Sequence, residues 1–120
     1  MTEQSGFRHR RFPRFATRHR VEATTPSRGL CLVGLLCDLS QEGCRLQLDG
    51  HLAPGTAVEV RCDVDGLALR LRGEVVWVNA ASGLLHGVAI SSFASEADAQ
   101  FHRQYLDRLA REAATPLGPA

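Results

Sequence analysis

The sequence predicts an all-β domain closed by one C-terminal helix, with about six strands forming a small antiparallel barrel. Three observations carry this reading. Short segments of alternating apolar and polar residues follow one another from residue 17 to residue 93, with turn signals between them. The segment after residue 95 switches from a period of two to a helical spacing. At 120 residues and 44% hydrophobic content, the chain can bury one modest core and fits one domain.

Residues 1–16 show no apolar period and hold Gly6, Pro13 and several arginines, so they read as a flexible arm. Residues 17–24 form a first strand, and Pro26-Ser27-Arg28-Gly29 a turn. Residues 30–37 are an apolar run of strand length, which Asp38-Leu39-Ser40-Gln41-Glu42-Gly43 breaks with turn chemistry. Cys44, Leu46 and Leu48 then alternate with Arg45, Gln47 and Asp49, the pattern of a half-buried strand. After turns at Asp49-Gly50 and Pro54-Gly55 comes the clearest hairpin. Val58, Val60, Cys62 and Val64 share one face, and Asp65-Gly66 is a strong turn. Leu67, Leu69, Leu71, Val75 and Trp77 share the next. Residues 79–83 are a loop and 84–90 a last strand. Ser95 offers an N-cap ahead of acids in the first helical turn, and Phe101, Tyr105, Leu106 and Leu109 make an apolar stripe. The expected organisation is an arm over residues 1–16, a barrel over 17–93, a helix over 94–112 and a disordered tail over 113–120.

Charge is unevenly spread. Residues 1–20 hold six arginines against Glu3, a local charge of +5, and the rest holds eight arginines against twelve acids, −4. The positive charge therefore belongs to the arm, which suits a compact anion better than an extended nucleic-acid footprint. All fourteen basic residues are arginine. A guanidinium offers a planar fork to phosphate and a flat cation to a base, neither of which lysine copies. Within the arm, Arg10 and Arg14 lie four apart with Arg11 and Arg8 beside them, and Phe12-Pro13 stiffens the segment between. The plain alternative is a solvated basic tail.

Asp38-x-Ser40-x-x-Gly43 also has two readings. An aspartate and a serine after a strand often bond backbone N–H groups in a turn, with the glycine supplying a positive φ or a close approach. Alternatively, the Asp38 carboxylate accepts from the N1–H and N2 amino donors of a guanine, Ser40 adds a hydroxyl, and Gly43 leaves room. Trp77, the only tryptophan, reads by alternation as a core residue, or else as a stacking surface at the barrel mouth. The cysteines, Cys31, Cys37, Cys44 and Cys62, form no C-x-x-C pair, and the five histidines show no metal spacing, so no metal or cofactor is expected. Without a nucleophile–base set or a phosphate-binding glycine loop, an enzyme is not expected. Residues 30–37 are too short to span a bilayer and no apolar leader is visible, so a cytoplasmic protein without membrane insertion is expected.

Arg10-Arg11-x-x-Arg14, Asp38-x-Ser40-x-x-Gly43, Gly73-Glu74-Val75-Val76-Trp77 and Gly87-Val88-Ala89-Ile90, in this order and on this strand series, resemble the PilZ domain family from about Arg8 to Phe93. The resemblance implies a six-stranded barrel that binds the bacterial second messenger cyclic di-GMP. It further implies that Arg10 and Arg14 contact phosphates and guanine faces, and that Asp38, Ser40 and Gly43 shape the guanine site. Arg8, Arg11 and Trp77 are secondary candidates. The expectation is a stand-alone cyclic di-GMP receptor that orders its arm around the nucleotide and signals to an unidentified effector protein, in control of motility, polysaccharide or virulence. The rival readings are a nucleic-acid-binding module using the arm, which the charge distribution disfavours, and an adaptor domain without nucleotide.

Overall fold

The computed structural model describes residues 12–114. Six strands, β1 (Phe15–Thr25), β2 (Leu30–Leu39), β3 (Gly43–Leu48), β4 (Ala57–Val64), β5 (Leu67–Asn79) and β6 (Leu85–Phe93), precede one helix, α1 (Glu96–Ala114). Every pairing is antiparallel, and the strands close in the order β1-β2-β3-β6-β5-β4. Closure leaves no free sheet edge.

Alternation dictates the core. Val58, Val60, Cys62 and Val64 of β4 face inward, as do Leu69, Leu71 and Val75 of β5, Leu46 and Leu48 of β3, and Val21 and Ala23 of β1. Each buried leucine or valine contributes about 1.5–3 kcal/mol by leaving water. The β4–β5 hairpin turns through Asp65 (φ 53°) and Gly66 (φ 84°), the two left-handed residues that match strand twist.

The boundaries differ from expectation where pairing extends a strand. β1 starts at Phe15 rather than residue 17, because Phe15 pairs with Leu39 and Ala16 with Asp38. β2 likewise runs on to Leu39, so Asp38 is a strand residue and not part of the turn. The last strand reaches Phe93, and the helix continues to Ala114, two residues beyond 112. Trp77 is not in the core. A register shift between Val75 and Trp77 against β6 puts both Val76 (50% exposed) and Trp77 (39%) outside. Leu67, at the hairpin tip, is also exposed.

The helix is pinned to the barrel by polar contacts around its apolar stripe. Ser95 Oγ accepts from the Asp98 N–H at 3.1 Å, the N-cap role. Asp98 accepts from the Arg70 N–H at 2.9 Å. Burial pushes its carboxyl up, yet the Ser95 hydroxyl and the Arg70 N–H and guanidinium together hold it below the usual aspartate range. Tyr105 and Leu106 join the core cluster, and the Tyr105 hydroxyl meets His19 Nε2 at 2.6 Å.

Candidate functional site

The start of β1 lies beside the end of β2, so the chain that enters the barrel through residues 12–14 arrives next to Asp38. Irregularities in both ladders bracket this aspartate: β1–β2 shifts register between Ala16 and His19, and β2–β3 between Leu36 and Asp38. Such bulges re-aim side chains. Asp38 is 2% exposed, an unusual place for a carboxylate. Two arginines cover it. Arg45 brings Nε and Nη2 each to 2.5 Å from Asp38 Oδ2, and Arg14 Nε stands 3.8 Å from the same oxygen. Asp38 Oδ1, equally buried, has no hydrogen-bond partner among the described residues. A buried carboxylate oxygen left unsatisfied costs free energy, which a ligand with N–H donors would recover.

Ser40 to Gly43 form the turn between β2 and β3. Ser40 Oγ accepts from the Glu42 N–H (3.2 Å) and the Gly43 N–H (3.1 Å), and the Ser40 N–H donates to Gly43 O at 2.8 Å. In this structure the hydroxyl therefore organises the turn. Gly43 is needed for a close approach and not for a positive φ: a Cβ there would stand 2.7 Å from Val88 O on β6. The turn also holds the helix, since His102 Nε2 donates to Ser40 O at 3.0 Å. Burial is the main reason that His102 titrates below its ordinary value.

From Asp38 a single row of cross-strand partners runs over the barrel surface. Asp38 pairs with Arg45, Arg45 with Gly87, and Gly87 with Trp77. A Cβ at position 87 would come within 2.2 Å of Trp77 Cε2, so glycine is what lets the indole pack against the β6 backbone. Arg14, Gly43, Arg45, Trp77 and Gly87 line a cleft of about 200 Å³. It joins cationic forks and an aromatic face, groups that bind phosphates and planar rings, while the Asp38 carboxylate lies buried behind Arg14 and Arg45, outside the lining. A larger cleft of about 320 Å³ lies over β1, β4 and β5, but its arginines are occupied, Arg61 with Asp63, Arg70 with Asp98 and Arg72 with Glu59.

The remaining reactive groups are structural. Burial pushes the Cys44 thiol beneath the cleft well up, and Cys62 and Asp38 add to the shift. Burial carries Cys62 to about 12. Both remain thiols at neutral pH and supply no nucleophile. His86 is sealed in the core, with Nε2 accepting from the Leu52 N–H at 3.0 Å and Nδ1 donating to Leu84 O at 2.7 Å. No group of three or more metal-ligating side chains occurs among the described residues. None of the described helices is long and apolar enough to cross a membrane. Of the residues singled out in the sequence, Arg14, Asp38, Ser40, Gly43 and Trp77 come together here. Arg8, Arg10 and Arg11 lie outside the described residues. Arg45 was missed, although counting outward from the Ser40–Gly43 turn sets it opposite Asp38.

A PilZ domain family model matches residues 8–110, thus including most of α1. The chain belongs to the PilZ domain family. This is a family of ligand-binding receptors rather than enzymes. Among solved structures, the PilZ domain of CeSA from a cellulose-synthesizing bacterium superposes with a TM-score of 0.64 at 18% identity, over 82% of this chain and 98% of that one. The PilZ domain of YcgR from Escherichia coli, solved with c-di-GMP, gives 0.62 at 15% identity, over 86% and 92%. The inhibitor of motility MotI/DgrA from Bacillus subtilis gives 0.63 at 17% identity, over 88% of this chain and 53% of that one. At these identities the likeness establishes the six-stranded PilZ barrel with its C-terminal helix. No curated protein matches.

Proposed function

We propose that this PilZ domain is a receptor for cyclic di-GMP that signals to a partner protein. The observation that carries the reading is Asp38, a buried carboxylate with one oxygen unpaired among the described residues, set under Arg14 and Arg45, which line a cleft together with Trp77. A guanine offers two adjacent N–H donors, N1–H and N2–H, to such a carboxylate. Arg14 supplies charge for the phosphates and a plane for stacking, with Arg10 from the arm as its partner and Arg8 and Arg11 as secondary contacts. Gly43 keeps the turn close to β6, Ser40 holds its shape, and Trp77 gives a second stacking surface. The likeness to a PilZ domain solved with c-di-GMP supports the same ligand.

Binding would fold the arm over the nucleotide, since a dianion offsets the mutual repulsion of its arginines. The ordered arm then presents a new face beside α1, where Pro13 and Phe15 already share a small cleft with Leu106 and Ala110. The test is a calorimetric titration with cyclic di-GMP, using linear GMP and GTP as controls. Selective heat with the cyclic dinucleotide supports the reading. Equal affinity for GTP, or no heat, overturns it, and salt-steep binding to any oligonucleotide would favour a nucleic-acid module.

A further inference from the structure

We infer that the outer face of β2, with β1 beside it, is the contact surface for a second copy of this chain, and that the dimer needs no nucleotide. In a closed antiparallel barrel the inner face of each strand fills the core and the outer face is expected to be polar. β4 keeps to this, with Glu59, Arg61 and Asp63 outside. β2 does not. Its inward residues lead to Leu36, which is sealed, while Cys31, Val33, Leu35 and Cys37 alternate with them and carry no charge. Cys31 and Val33 (38%) are exposed, and Leu35 and Cys37 partly so. β1 borders this apolar row with Glu22 opposite Val33 and Arg20 opposite Leu35. An apolar centre with a charged rim is the anatomy of a protein–protein interface.

The charges select the occupant. Val21 pairs with Gly34, and Gly34 with Leu48, so these three make one row across the strands. Arg20 and Glu22 flank Val21, Val33 and Leu35 flank Gly34, and Cys31 and Cys37 stand equally far from Gly34 on either side. A two-fold axis laid along this row, between two molecules, sets each member of a pair over the other. Arg20 meets Glu22 of the second copy, Val33 meets Leu35, and Cys31 meets Cys37. The face is therefore complementary to itself in charge and in apolar character, as an isologous interface requires. Within one molecule Arg20 and Glu22 stand 3.8 Å apart on the open surface, a weak pair that loses little by exchanging partners. Packing face to face is also the route open to a barrel that has no free strand edge.

Sedimentation of the full chain over a range of concentrations, without nucleotide, should show a monomer–dimer equilibrium. Arg20→Glu and Glu22→Arg should each weaken it by about tenfold or more, because like charges then meet twice across the axis. The double variant Arg20→Glu/Glu22→Arg should restore the wild-type constant. A protein that stays monomeric, single reversals without effect, or a double variant no tighter than the singles overturns the inference. The thiols test the geometry separately. Cys31 and Cys37 lie roughly 20 Å apart along β2, too far for a short bismaleimide to join them within one molecule, and Cys44 and Cys62 are buried. Cys31→Ser alone and Cys37→Ser alone should give no cross-linked dimer, whereas an equal mixture of the two should. A single variant that cross-links to itself, or a mixture that does not cross-link, overturns the two-fold arrangement.

Discussion

Replacing Asp38 by alanine separates two roles open to one carboxylate. If Asp38 were mainly structural, its loss would break a buried ion pair, which costs about 3–5 kcal/mol when the abandoned partner is itself buried. Here the partners are not: the Arg45 and Arg14 side chains are 39% and 30% exposed and can rehydrate in place. For so open a partner the pair contributes at most about 1 kcal/mol. Against that, alanine removes a desolvated, unsatisfied oxygen, a relief of about 1–3 kcal/mol. The relief matches or exceeds the loss, so the melting temperature should hold or rise rather than fall. Binding of cyclic di-GMP should lose about 1–3 kcal/mol, at least several-fold in affinity. Thermal melting and calorimetric titration of the same preparation read both quantities. A drop in stability beyond about 3 kcal/mol, with unchanged affinity among the molecules still folded, would refute the argument and make Asp38 a structural residue.

Arg14→Ala should weaken cyclic di-GMP by about tenfold with little change in melting, as measured by titration, because Arg14 precedes the first strand and is not in the core. Ser40→Ala should instead lower stability by about 1–3 kcal/mol in urea unfolding, since the Glu42 and Gly43 N–H groups lose their acceptor. Acid should loosen the fold before the carboxylates titrate. Burial holds His86 and His102 below the ordinary 6.5, so the unfolded chain takes up protons that the folded one refuses. The stability they contribute is complete above about pH 6.5 and is lost as pH falls through each folded value. A urea midpoint at pH 5.5 equal to that at pH 7.5 would contradict this. Amide exchange over residues 8–15 should slow on adding nucleotide, with smaller changes over 38–43 and little in α1. An arm as protected as the strands without ligand would count against its ordering.

Much of the barrel was legible because alternation and turn chemistry are local. The inward face of β4 and the Asp65-Gly66 turn follow from neighbours in sequence alone. What was hidden depends on pairing. Asp38 belongs to β2 because Ala16 and Arg45 flank it on adjacent strands, and no local rule distinguishes that from a turn aspartate. Trp77 follows the alternation of β5 as far as Val75, then leaves it at a shift that exists only against β6. The same holds for the site. Its signature residues were visible as motifs, whereas Arg45 acquires a role only once the β2–β3 register sets it against Asp38.

The indole lying on Gly87 has a practical consequence. A lone tryptophan in a barrel is ordinarily a reporter of the whole fold, its emission shifting when the core opens. This one rests outside the core, on the wall of the cleft, with Arg45 two strands away across Gly87 of β6. Excited selectively, it acts as a built-in optical probe of that cleft, and a purine stacked on its free face should quench it. Titrations can then be followed without a label, while the same signal will understate unfolding of the barrel beneath it.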